Sequence, residues 1–207
     1  MSNLLLIRHA ETDMAGRFCG HCDPELNERG RRQLSGLVSA LSGHAIRRVY
    51  TSDLRRARQT AEAVAKHFGA ELQVRPGLRE FHFGLWEGLS WSEIEVRDPP
   101  LARKWLKEYP NSTAPGGESF RNFEMRVRKE IAFLLEEATQ APIAAVGHAG
   151  FIRVALMIRG NLSEREAWDQ TKDYGSVVAL EVSPISRTGS ETSVRFALQA
   201  FQKGALK

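Results

Sequence analysis

The chain has 207 residues, 42% hydrophobic and 26% charged, an ordinary balance for a globular protein able to bury one sizeable core. No apolar run approaches the ~18 residues of a membrane helix, and residues 1–8 lack the features of a signal peptide, so the expectation is a cytoplasmic protein with no membrane partner. The net charge is +4 with 22 Arg against 7 Lys, but no dense basic tract suggests a nucleic-acid partner; arginine's planar fork suits phosphate or carboxylate.

Asn3-Leu4-Leu5-Leu6-Ile7 is a continuous apolar run ending in Arg8-His9, the pattern of a strand buried on both faces. A polar loop follows over residues 10–26. Asn27 suits the N-cap of a helix to about residue 41, with Leu34, Leu37, Val38 and Leu41 on one face and Gly43 as its stop. Residues 47–51 read as a second strand, Ser52 as the cap of a helix over 53–68, and residues 71–74 as a third strand. This alternation predicts an α/β fold, a three-layer sandwich with a mainly parallel sheet between helices. Over residues 84–118 the pattern changes to Trp86, Trp91, Trp105, Pro99-Pro100 and a Pro- and Gly-containing stretch. That reads as a small insertion of short helices within a single domain covering 1–207. A long helix is predicted over 119–139, a buried strand over 143–146 ending in Gly147-His148, and a helix over 149–158. Strands over 177–182 and 194–198, joined across 184–189, complete the chain.

Cys19 and Cys22 have C-x-x-C spacing, but Asp23-Pro24 follows directly instead of a helix, so a redox motif is a poor reading. Zinc binding with His21 lacks a fourth ligand at usable spacing.

In an α/β sheet of this kind ligands sit at the carboxyl ends of the strands. Three such ends carry Arg8-His9, Ser52 with Arg55-Arg56, and His148. A neutral, oriented imidazole can attack phosphorus, arginines can hold the phosphoryl oxygens, and a carboxylic acid must protonate the leaving oxygen. The blocks around these residues resemble the histidine phosphatase superfamily, the phosphoglycerate mutase-like enzymes. They are Leu6-Ile7-Arg8-His9-Ala10-Glu11-Thr12, Gly20-His21-Cys22-Asp23-Pro24-Glu25-Leu26, and Ser52-Asp53-Leu54-Arg55-Arg56-Ala57. Leu78-Arg79-Glu80, Phe83-Gly84-Leu85-Trp86-Glu87-Gly88, Pro115-Gly116-Gly117-Glu118-Ser119 and Val146-Gly147-His148-Ala149-Gly150 continue the match in order. The sequence departs from the pattern at Asp13-Met14-Ala15-Gly16, where many members carry an asparagine.

The resemblance implies a phosphoglycerate mutase-like fold with the insertion as a lid over the site. It implies that His9 is the nucleophile, that Arg8, Arg56 and His148 form the phosphate pocket, and that Glu80 is the proton donor, with Glu87 as the nearby alternative. Cys19, Gly20 and the Ala149 backbone would lie close to the phosphate. No metal and no cofactor are implied, and the partner is a small phosphorylated substrate; a homodimer is left open. The small phosphatase branch, which includes alpha-ribazole phosphatases, fits better than the mutases, because no Arg-Arg pair accompanies Arg97, Arg103 and Lys104 in the insertion. A domain that binds phosphate without turnover is the remaining alternative.

Overall fold

The apolar run at the start of the chain becomes the middle of a mixed sheet, in a computed structural model that describes residues 2–182 and 194–195. The strands are β1 (Ser2–Arg8), β2 (Arg48–Thr51), β3 (Glu71–Val74), β4 (Ile143–Gly147), β5 (Val177–Val182) and β6 (Val194–Arg195), in spatial order β3-β2-β4-β1-β5-β6. The first four are mutually parallel, with Arg8 beside Gly147 and Thr51 beside Val146. β5 runs antiparallel to β1, and β6 to β5. The expected connection over 184–189 and the end of the last strand over 196–198 lie outside the described residues.

Alternation along the buried strands divides the core. Leu5 and Ile7 of β1 pack with Val49, Ala144 and Val146 against α1 (Glu28–Ala40) and α2 (Arg55–Phe68). Leu4 and Leu6 point the other way, toward α5 (Phe120–Gln140), α6 (Ala149–Gly160) and α7 (Glu164–Thr171). Each of these strand side chains is essentially fully buried, a contribution of roughly 1.5–3 kcal/mol for each Leu, Ile and Val. The region from residue 84 forms a short 3-10 turn, then α3 (Trp91–Arg97) and α4 (Pro99–Glu108). Trp86, Ile94 and Trp105 join the same apolar cluster as α5.

Two local features differ from expectation. Ser52 does not cap α2: the N-cap is Leu54, without a side-chain bond. The Asp23 carboxylate, from the polar loop, accepts the Arg55 N–H at 2.6 Å, and the Ser52 hydroxyl is spent on His148 instead. The helix α7 was not anticipated because residues 164–171 have almost no apolar periodicity. Its start is nonetheless written in sequence, as Ser163 and Glu166 form a reciprocal capping box.

Gly30 sits in the first turn of α1, where the Asn27 side chain accepts its N–H at 2.7 Å. A Cβ there would stand 2.1 Å from the Glu11 carbonyl oxygen, whereas a Cβ at Gly43 would meet nothing within 4 Å. Gly30→Ala should therefore destabilise the fold by about 1–3 kcal/mol. Gly43→Ala should be neutral or stabilising by about 0.4–1 kcal/mol. Urea unfolding of both variants checks this; equal effects would refute the close-approach argument.

Candidate active site

The parallel strands β1, β4 and β2 bring their carboxyl ends to one edge. The His9 N–H donates to the Gly147 carbonyl at 3.0 Å, and the Ser52 N–H to Val146 at 3.3 Å, so pairing continues past the strands into the site. His148 follows β4 and is the N-cap of α6. The two imidazoles lie 5.2 Å apart between ring centroids.

The orientation of His9 follows from its neighbours. Its Nδ1 lies 2.7 Å from the Ala10 carbonyl oxygen, which can only accept. The proton therefore sits on Nδ1 and the lone pair on Nε2. Ala10 is pinned in turn: its N–H donates to Thr60 Oγ1 at 3.1 Å, and that hydroxyl donates to the Arg56 carbonyl at 2.8 Å. Arg56 Nε reaches His9 Nε2 at 3.3 Å. Burial holds the His9 pKa well below its usual value; Arg56 lowers it further, the Ala10 bond opposes this, and Arg8 adds a smaller lowering. Arg8 thus favours the neutral form, but burial and Arg56 rank ahead of it.

Arg56 is fully buried. Its Nη1 donates to the Cys22 carbonyl at 2.7 Å, and its Nη2 to those of Gly20 at 2.7 Å and Cys19 at 3.3 Å. Arg55, one residue away, is exposed and paired with Glu25. Arg8 donates through Nη1 to the Thr171 and Lys172 carbonyls and lies 4.0 Å over the Tyr174 ring. His148 Nε2 pairs with Ser52 Oγ at 2.8 Å. Its pKa is also held well below the usual range, by burial, then Arg56 and His9. Arg8 Nε and His148 Nδ1 are buried without a partner among the described residues. Such atoms each cost about 1–3 kcal/mol. Both belong to this site and are donors or potential donors, which suits an anion's oxygens.

Glu80 arrives from the loop after β3. Its Oε2 accepts the Gly150 N–H and its Oε1 the Phe81 N–H, both at 2.9 Å. A Cβ on Gly150 would stand 2.2 Å from Glu80 Oε1, so this contact requires glycine. Arg126 of α5, paired with Glu118, donates to the carbonyls of Gly77, Arg79 and Glu80 and fixes the loop that carries the acid. Glu87, the alternative acid, is committed elsewhere. Its carboxylate accepts the N–H groups of Gly20, His21, Cys22 and Phe83. Burial acts to raise its pKa, but these backbone bonds outweigh burial and hold it below the usual range.

A cavity of about 320 Å³ opens here, lined among others by Arg8, His9, Cys19, Glu80, Ala149, Arg153 and Tyr174. Arg56 and His148 stand behind His9 rather than on the cavity wall. Gly20 also does not line it: its N–H is given to Glu87, its carbonyl to Arg56, and a Cβ there would lie 2.0 Å from the Phe81 carbonyl oxygen. The Cys19 and Cys22 thiols are free and 2.9 Å apart, within a turn whose carbonyls serve Arg56. Trp86 is core, whereas Trp91 lines this cavity. Sequence reasoning missed Ser52 as the His148 partner, Arg126, Arg153 and Tyr174. Arg153 could have been found, since it stands three residues after Gly150 on one helix face. Tyr174 follows the unanticipated α7 and had no signal.

A family model described as histidine phosphatase superfamily (branch 1) matches residues 4–190. An adenosylcobalamin/alpha-ribazole phosphatase of Escherichia coli K12 is 29% identical over 182 residues, 87% of this chain and 90% of that protein. A glucosyl-3-phosphoglycerate phosphatase of Mycobacterium tuberculosis is 33% identical over 159 residues, 72% of this chain and 71% of that one. A bifunctional protein of Mycobacterium tuberculosis is 37% identical over 164 residues, 76% of this chain, and this match spans only 44% of its length. The alpha-ribazole phosphatase structure of Shigella flexneri gives a TM-score of 0.80 at 26% identity, covering 95% of each chain. The family match takes in every strand end that builds the site, and the chain belongs to the histidine phosphatase superfamily, branch 1.

Proposed function

We propose that this chain is a metal-independent phosphomonoesterase that hydrolyses a small phosphorylated metabolite through a phosphohistidine on His9. The observation that carries the reading is the neutral His9, its Nδ1–H tied to Ala10 and its Nε2 left unprotonated, with only a long 3.3 Å contact from Arg56 Nε, beside a cavity shared with Arg8 and Glu80. Nε2 attacks phosphorus and the bond to the leaving oxygen breaks, while Glu80 gives that oxygen its proton and the alcohol departs. Water then attacks the phosphohistidine, Glu80 takes a proton from it, and the P–N bond breaks to release phosphate. Arg8, on the cavity wall, holds the phosphoryl oxygens, while Arg56 behind His9 adds positive potential and the unpartnered His148 Nδ1 is a further candidate donor, a preorganised setting where charge develops.

Relatives named as phosphatases support hydrolysis. Of the insertion's cations, Arg97, Arg103 and Lys104 line neither this cavity nor the larger one beside it, so the mutase reading gains nothing from them. The site is also filled at each position that turnover needs, against a merely phosphate-binding domain.

In excess chelator, His9→Ala should lose at least ~10³-fold in hydrolysis and form no acid-labile, base-stable phosphoenzyme. Activity retained by that variant would sink the mechanism. Glu80→Gln should slow alkyl phosphates by about 10²–10⁴-fold and nitrophenyl phosphate much less. An equal loss with both esters would remove Glu80 as the acid.

The histidines also set a pH dependence of stability. In the unfolded chain they take up protons below about pH 6.5, while folded His9 and His148 stay neutral to well below it. The unfolded state therefore binds more protons as pH falls, so their contribution is complete above about pH 6.5 and lost below it, at up to about 1.4 kcal/mol per pH unit for each histidine. His21, lowered by burial, adds in the same sense. Urea unfolding from pH 7.5 to 5.5 should show the decline, and His148→Gln should flatten it. Stability unchanged across that range would contradict neutral burial.

A further inference from the structure

A second, larger cavity of about 490 Å³ adjoins the phosphate cavity. Glu80, Phe83, Arg153 and Trp168 line both, so the two spaces meet at the acid. The rest of the larger cavity is mostly apolar. Of the eight large hydrophobic side chains exposed among the described residues, four surround it: Leu106 at 65%, Tyr109 at 50%, Met157 at 38% and Trp168 at 53%. Scattered exposed hydrophobics are ordinary, but a cluster around one concavity marks a binding surface. The walls are also held in place. The Arg153 guanidinium lies 3.7 Å over the Trp168 ring, while its Nε donates to Thr171 Oγ1 at 2.8 Å. Trp105 packs edge-on against buried Trp86 with centroids 4.9 Å apart.

We propose that this cavity takes the alcohol portion of the substrate and selects phosphate monoesters whose alcohol carries a flat, apolar or aromatic body. The inference rests on the assignment of His9 and Glu80 above. The leaving oxygen must come within reach of Glu80, and Glu80 stands where the two cavities join. The body attached to that oxygen therefore continues past Glu80 into the larger space, whose size falls within the usual range for small-molecule pockets. A body rich in hydroxyls would find few partners on these walls beyond Arg153 and Glu164 and would leave the exposed rings uncovered, which disfavours it. A flat apolar body instead covers the exposed rings and stacks on them.

The test compares ethyl phosphate with 2-(1-naphthyl)ethyl phosphate. Their leaving alcohols have nearly the same acidity, so the chemistry is matched and only the body differs. The wild-type chain should favour the naphthyl ester in kcat/KM by on the order of 10- to 100-fold. Leu106→Glu combined with Met157→Glu places charge on the exposed rim and should reduce that preference by about tenfold. A phosphohistidine trapped in this double variant reports that it folds. A wild-type ratio near one, or a preference untouched in the double variant, overturns the inference while leaving the His9 reading intact. A wild-type dimer that the double variant dissolves without change in the ester preference also overturns it, in favour of a second copy as the occupant. Failure of wild type to release phosphate from either ester, with no phosphohistidine trapped, overturns the reading of the site and this inference with it.

Discussion

The buried guanidinium of Arg56 constrains everything around it. A cation removed from water is tolerated only where donors find acceptors. Here the acceptors include the carbonyls of Cys19, Gly20 and Cys22, turned inward by the 19–22 loop. A loop with its carbonyls on one side must present N–H groups elsewhere, and those of Gly20, His21 and Cys22 all go to Glu87. The loop is thus clamped between a cation and an anion that do not touch. Backbone carbonyls carry no net charge, so Arg56 keeps its field at His9 and contributes to holding that imidazole neutral.

The arm that carries Glu80 touches this cationic arm where His21 Nε2 meets the Glu80 carbonyl at 3.1 Å, and its carboxylate is held at α6. Ala149, the first residue of the helix, lines the phosphate cavity, and the N–H of Gly150 holds the Glu80 carboxylate. Arg126 and Glu118 secure the same loop from behind. One helix start thereby touches both the cavity beside His9 and the Glu80 carboxylate, the proposed nucleophile and acid. Geometry of this kind matters because catalysis by positioning and preorganised charge is sensitive to displacements of about 1 Å.

Much of this was legible in the sequence. The apolar run before Arg8-His9 read as a strand buried on both faces, and Leu4 to Ile7 do divide between two core layers. His9, Arg56, Glu80 and His148 come from separated segments, and the resemblance brought them together; periodicity alone would have left them as residues at strand ends. Ser52 was misread because hydroxyls before helices usually cap them, and nothing local says that a histidine 96 residues away will claim the group. Glu87 was indistinguishable from an acid, since its role depends on backbone N–H groups whose direction no side-chain pattern records. Helix α7 escaped because its burial rests on Ala167 and Thr171, too few apolar positions to set a period.

Glu87 lies just inside the insertion, at the end of its 3-10 turn, yet it holds the loop that Arg56 grips. The insertion and the proposed phosphate cradle therefore share one keystone. A different lid grafted onto this scaffold keeps the chemistry only if the splice falls after residue 87. On the proposed reading, variation in substrate preference is free to accumulate in α4, in the later turns of α6 and in α7, while the first turns of the insertion and of α6 are bound to the site. The insertion is thus separable in its outer part and tied to the Arg56 loop at its root.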